Sequence, residues 1–174
     1  MSTTTLTSTP NQLASGTDLK EIGRAVLYGG IASGLLDATD GVIAFYLMYG
    51  FNPIQVLQFI ASGAIGSKAF EGGLATAGLG MFYHFVIAFA AAGVFAVAAY
   101  WFRIFRDHWI VTGLVFGTLV WAFMNLYVVP NSAAQPPALT LPAVFNGIIG
   151  HAVFVGVAIS YFTRHLGSRH TTSL

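Results

Sequence analysis

The chain has no cysteine. That removes disulfide frameworks, Cys-ligated zinc, iron–sulfur clusters and thiol nucleophiles from consideration. Charge is nearly as scarce: 7% of the 174 residues are Asp, Glu, Lys or Arg, against about 25% in soluble domains. No GxxxxGK[ST] and no strand-bounded GxGxxG occurs, so the glycine-rich stretches are helix-packing faces and not phosphate loops. HExxH and CxxCH are absent too, which leaves zincin chemistry and covalent haem attachment without a motif. The few basic residues form no patch, and nucleic acid is not an expected partner.

Apolar residues are abundant, at 56%. A chain of this length and composition is an integral membrane protein with one compact domain and no room for a separate soluble catalytic domain. About 20 apolar residues, rising 1.5 Å each, are needed to cross roughly 30 Å of hydrocarbon. Four stretches qualify, at about 25–49, 74–102, 109–129 and 142–163, so the expected fold is all-α: a polytopic four-helix bundle. The first 18 residues are rich in Ser and Thr and lack a basic start and an apolar h-region. They read as a disordered tail and not a cleaved signal peptide, and 166–174 reads as a short C-terminal tail.

Between the first two spans, Asn52 and Pro53 mark a helix start. Ile54, Leu57, Ile60, Ala61, Ala64 and Ile65 then recur at helical spacing, with Gln55, Gln58 and Ser62 elsewhere. This predicts a short amphipathic helix over about 53–66, lying in the membrane interface; a re-entrant segment fits the same pattern. Lys68 and Glu71, three residues apart, are expected to pair. Asn131 to Pro142 forms an uncharged, Pro-rich loop.

Six of the seven basic residues (Lys20, Arg24, Arg103, Arg106, Arg164 and Arg169) flank one side of these spans, and Lys68 alone lies on the other. The positive-inside rule therefore predicts that both termini are cytoplasmic. An even number of spans requires the same.

The residues that carry chemistry lie inside the spans. Asp37 sits at the middle of the first, where a carboxylate costs roughly 3 kcal/mol to insert, and Asp40 follows one turn later. Gly30, Ser33, Gly34, Asp37, Asp40 and Gly41 form one stripe of small and acidic residues, the face expected to pack against other helices. The second span places His84 on a similar small-residue stripe. The third offers a GxxxG contact at Gly113 and Gly117, with Asn125 beyond Trp121. The fourth carries Gly147 and His151 on one face, with Asn146 about 140° away and therefore expected to serve a different contact. At 1.5 Å per residue, Asp37 and His151 fall near the midplane. Asp40 and His84 lie about 5–6 Å beyond it, and Asn125 and Asn146 about 9 Å beyond it, on the non-cytoplasmic side.

Those six residues, Asp37, Asp40, His84, Asn125, Asn146 and His151, are the candidate ligand- or proton-binding set, in a pocket opening outward above an almost purely apolar cytoplasmic half. Carboxyls this close resist ionising together, as proton carriage or acid–base work requires. On a structural reading, Ser33, Thr39 or His84 caps an aspartate, and the histidines and asparagines are interhelical hydrogen bonders. No catalytic residue stands out, since no nucleophile lies near a histidine at a known spacing. No cofactor is favoured. Haem b held by His84 and His151, or a divalent metal held by Asp37, Asp40, His84 and His151, are the alternatives.

The runs GLLDATDG, PIQVLQFIASGAIGSKAFEGGLATAGLG with His84 following, GLVFGTLVWAFMNLYVVP and NGIIGHAVFVGVAI resemble an uncharacterised group of small bacterial four-helix membrane proteins, over about residues 24–165. The resemblance implies the same topology, a similar aspartate at Asp37, a similar segment from Pro53 to Gly63, and histidines at His84 and His151. It implies a bacterial inner membrane and supplies no activity. The functional expectation is a non-enzymatic protein whose Asp/His pocket binds or passes a proton or small polar ligand, alone or as a homo-oligomer joined through its GxxxG faces. A structural or accessory subunit of a larger membrane complex is the alternative from another class.

Overall fold

The computed structural model describes residues 16–166. The expected tails therefore lie outside the described residues, apart from Gly16 to Asp18 and Leu166, which are helical. The described chain is all helical: α1 (Gly16–Tyr49), α2 (Pro53–Ile65), a 3₁₀ turn (Gly66–Glu71), α3 (Gly73–Trp101), α4 (Ile104–Asp107), α5 (Trp109–Phe123), α6 (Leu141–Gly150) and α7 (Ala158–Leu166). A π-helical turn, Met124–Val128, extends α5, and a π-helical stretch, His151–Val157, joins α6 to α7 without a break. Four helices are long and apolar enough to cross a membrane: Leu19–Tyr49, Gly73–Trp101, Trp109–Val128 and Leu141–Leu166. Each lies within a few residues of its expected limits except at the outer ends of the first and fourth, which run further.

Local chemistry sets the breaks. Gly50 adopts φ 71° after α1, a left-handed conformation that glycine enters without steric cost. Two residues on, Asn52 starts α2 with a reciprocal cap: its Oδ1 accepts from the Gln55 amide, and Gln55 Oε1 accepts from the Asn52 amide, both at 3.0 Å. Pro53 takes the first helical turn, where its missing N–H leaves nothing unsatisfied. Thr140 caps α6 through Ala143, with Pro142 in its first turn.

The expected amphipathic pattern of α2 is only half right. Gln58 and Ser62, read as its outward polar face, are 4% and 2% exposed. Gln58 donates to the Gly73 carbonyl at 3.1 Å and reaches Thr76 Oγ1 at 3.4 Å, so its amide is satisfied against α3. Gly80 on α3 leaves room for the α2 backbone at Leu57, where any side chain would collide. Helix α2 therefore lies along α3 by its small and polar face, and Pro53, Ile54, Ala64 and Ile65 are the residues left exposed. Lys68 and Glu71 make no ion pair with each other among the described residues: a 3₁₀ turn carries both, and both are exposed.

The third and fourth spans meet backbone to backbone. Gly113 abuts Ser160 and the Gly156 carbonyl, and Gly117 abuts the His151 carbonyl and Ala152. The GxxxG face that sequence offered for self-association is thus consumed within one chain. At the end of the bundle nearest the termini, Ala92, Phe95, Ala99, Val155 and Ile159 form the core. Phe95 packs edge-on against Phe105 and Phe116, with ring centres 5.3 and 5.1 Å away. This half is closed by apolar side chains. The half carrying α2 and the 131–140 loop is not.

Candidate functional site

The small-residue stripe of α1 divides at its midpoint. In the half nearer the termini, Gly30 is covered by Phe89 and Gly34 by Phe85, whose Cε1 would stand 2.6 Å from a Cβ built there. Ser33 is wholly buried and returns its hydroxyl to the Gly30 carbonyl at 3.3 Å. Beyond Asp37 the packing loosens at Gly41. A Cβ on Gly41 would meet nothing within 4 Å, because Gly41 lines a cavity of about 530 Å³ bounded by α1, α2, α3, the third and fourth spans and the 131–140 loop.

All six candidate residues line this cavity. They do not form one network, however. Asp37 Oδ1 lies 3.6 Å from His151 Nδ1, with both side chains about one-fifth exposed, at 20% and 23%. Asp40 Oδ2 accepts from Asn146 Nδ2 at 3.4 Å. Gly150 makes that placement sterically available, since a methyl on it would strike the Asp40 carboxylate. Asn146 and His151 therefore serve different contacts, on neighbouring carboxyls of α1. Residues 140° apart on one helix can both border a chamber broad enough to span them.

His84 and Asn125 are tied elsewhere. His84 Nε2 donates to the Gly34 carbonyl across the α1–α3 contact at 2.8 Å, so His84 is not bonded to either aspartate. Asn125 donates to the Trp121 carbonyl one turn back, at 3.0 Å. Thr39 donates to Leu35, and with Ser33 and His84 also spent on backbone carbonyls, none of the three caps an aspartate. The reason is common to all: a helix-borne hydroxyl, amide or imidazole has a backbone carbonyl within closer reach than a carboxyl on the next turn.

These bonds fix the histidine tautomers. A carbonyl only accepts, so His84 carries its proton on Nε2. His151 Nδ1 lies 3.1 Å from the Gly147 carbonyl and likewise carries the proton there. The other ring nitrogens, His84 Nδ1 and His151 Nε2, make no hydrogen bond among the described residues. Haem ligation by His84 Nε2 would require breaking the bond to Gly34. Among the described residues no three His, Asp or Glu side chains group closely enough to hold a metal ion, and the proposed four-residue set is not assembled.

The remaining wall is mostly apolar, with aromatic rings from Phe45, Tyr49, Phe59, Tyr83 and Trp121. Trp121 is placed by Gly147, whose lack of a side chain admits the indole. Sequence reasoning overlooked Tyr83 and Trp121, although each adjoins a chosen polar residue: Tyr83 precedes His84, and Trp121 stands one turn before Asn125. Opposite the apolar core, the cavity is bordered by α2 and the 131–140 loop. These are fastened together by a backbone bond from Ala133 to the Gly63 carbonyl at 3.0 Å, and the loop is fastened to α1 by Tyr49 Oη donating to the Ala138 carbonyl at 3.2 Å. No family model, curated protein or solved structure matches the chain.

Proposed function

We propose that this chain is a non-enzymatic integral membrane protein whose cavity binds a small ligand by its polar end, with Asp37 and Asp40 exchanging a proton there. Its setting in this reading is a bacterial inner membrane with both termini in the cytoplasm, as the distribution of basic residues favours. The observation that carries the proposal is the convergence of Asp37, His84, Asn125 and His151, one from each span, on one chamber of about 530 Å³. Ligand pockets commonly fall between about 300 and 1,000 Å³, with apolar walls and a few polar groups that fix orientation. A carboxyl in a membrane interior is in itself a mark of function.

In this reading Asp37 and Asp40 receive the polar end of the ligand or a proton. His151 and Asn146 hold the carboxyls in place, and the apolar wall receives the rest of the molecule. His84 is a positioning residue, linking α3 to α1 just below the chamber.

The experiment exploits the location of Trp121, one of three tryptophans. In protein carrying Trp101→Phe and Trp109→Phe, its emission reports on the cavity alone. Neutral 4-phenylbutanol is expected to shift that emission saturably, and Gly41→Leu to abolish the shift. Calorimetry in buffers of different ionisation enthalpy should show proton exchange on ligand binding that vanishes in the Asp37→Asn/Asp40→Asn double variant. Absence of saturable binding by any amphiphile tested, charged or neutral, would sink the proposal.

A further inference from the structure

The hydrogen-bonding inventory of the cavity is lopsided. Its lining includes no Lys and no Arg. The side-chain donors nearest the carboxyls are already engaged: His84 Nε2 by Gly34, His151 Nδ1 by Gly147, Thr39 by Leu35 and Ser33 by Gly30. Each carboxyl retains a single long contact, 3.6 Å from Asp37 to His151 and 3.4 Å from Asp40 to Asn146. A carboxylate offers about four lone-pair sites, so most of this acceptor capacity is unused. A ligand that brings only acceptors finds the Trp121 indole and Tyr83 hydroxyl donors in the wall, but no cationic side chain to answer a negative charge.

We infer that the occupant of this cavity is an organic cation with an apolar body, a quaternary ammonium or a protonated amine. This rests on the ligand-binding reading above and specifies the chemistry of the ligand. Positive charge answers the carboxyls. The rings of Phe45, Tyr49, Phe59, Tyr83 and Trp121 offer π faces to the same charge, an attraction that strengthens when water is excluded. The aliphatic remainder of the wall takes the apolar body. A charge moved from water into such a site is stable only where it is paired, and the carboxyls supply that pairing.

Three probes sharing one phenylbutyl tail separate this inference from the reading beneath it: 4-phenylbutyltrimethylammonium, 4-phenylbutanol and 4-phenylbutane sulfonate. Each is titrated into the single-Trp121 protein in phosphatidylcholine nanodiscs, a zwitterionic surface that carries no net attraction for either ion. The ammonium is expected to bind at least about tenfold tighter than the alcohol, and the sulfonate at least about tenfold weaker than the alcohol, each tenfold step being 1.4 kcal/mol. Asp37→Asn and Asp40→Asn should each narrow the ammonium's advantage over the alcohol. If the alcohol matches the ammonium, or the sulfonate binds best, the cation inference is overturned and the ligand chamber stands. If none of the three binds saturably, both fall. The comparison on unaltered aspartates decides the matter even where a variant fails to assemble.

Discussion

Gly41→Leu separates a hole from a packing contact more sharply than any other single change. The glycines of α1 look alike in sequence, yet Gly34 faces Phe85 and Gly41 faces open space, where an added Cβ would have no neighbour within 4 Å. Glycine inside a helix is about 0.5–1 kcal/mol less favourable than alanine. Replacing it where there is room therefore leaves the fold as stable as before or raises its stability by up to about 1 kcal/mol. The function should respond oppositely. Residue 41 lies four positions from Asp37, a spacing that puts their Cβ atoms about 5–6 Å apart on one helix face. A leucine there obstructs the approach to the carboxyl, and the affinity for 4-phenylbutyltrimethylammonium is expected to fall at least about tenfold, or about 1.4 kcal/mol. Reversible unfolding in mixed detergent micelles gives the stability, and Trp121 emission gives the affinity. A loss of more than about 2 kcal/mol in stability, within the range seen for overpacked cores, would show that the space at Gly41 is not empty. Undiminished binding in a stably folded variant would show that ligand does not use the chamber.

Other substitutions probe the remaining contacts. Gly117→Leu, set against the His151 and Ala152 backbone, is expected to destabilise the bundle by about 2 kcal/mol or more, measured by the same unfolding assay. Gly150→Ala places a methyl against the Asp40 carboxylate, so Asp40 must leave Asn146; cation affinity should fall severalfold while stability changes little, because the displaced group is the mobile end of a side chain. Asn52→Ala removes the cap on Gln55 and is expected to lower stability by about 1 kcal/mol, readable as faster amide exchange over 53–58. Gln58→Leu removes the bonds that its buried amide makes to Gly73 and Thr76; a loss of about 0.5–1.5 kcal/mol is expected.

Hydropathy and length alone outlined the four long helices, because a bilayer demands a fixed run of apolar residues. The choice of polar residues was legible for the same reason: Asp37, Asp40, His84, Asn125, Asn146 and His151 are conspicuous in apolar surroundings, and all border one cavity. Their partners were not legible. Nothing in the sequence distinguishes a histidine that meets an aspartate from one that takes a carbonyl, as His84 takes that of Gly34. The π-helical stretch from His151 to Val157 leaves no periodic signature either. Helix α2 misled by its composition: a buried glutamine looks like a solvated one until the Gly73 carbonyl beside it is known.

The aromatic seal around Phe95 has a bearing on directionality. Val155 belongs both to this cluster and to the cavity wall, so in the proposed reading a solute enters and leaves on the α2 side for as long as Phe95, Phe105 and Phe116 stay interlocked. Vectorial passage through one copy would demand a second arrangement of the helices in which those rings part and the α2 side shuts. In the proposed reading, a receptor or a reversible store needs no such arrangement.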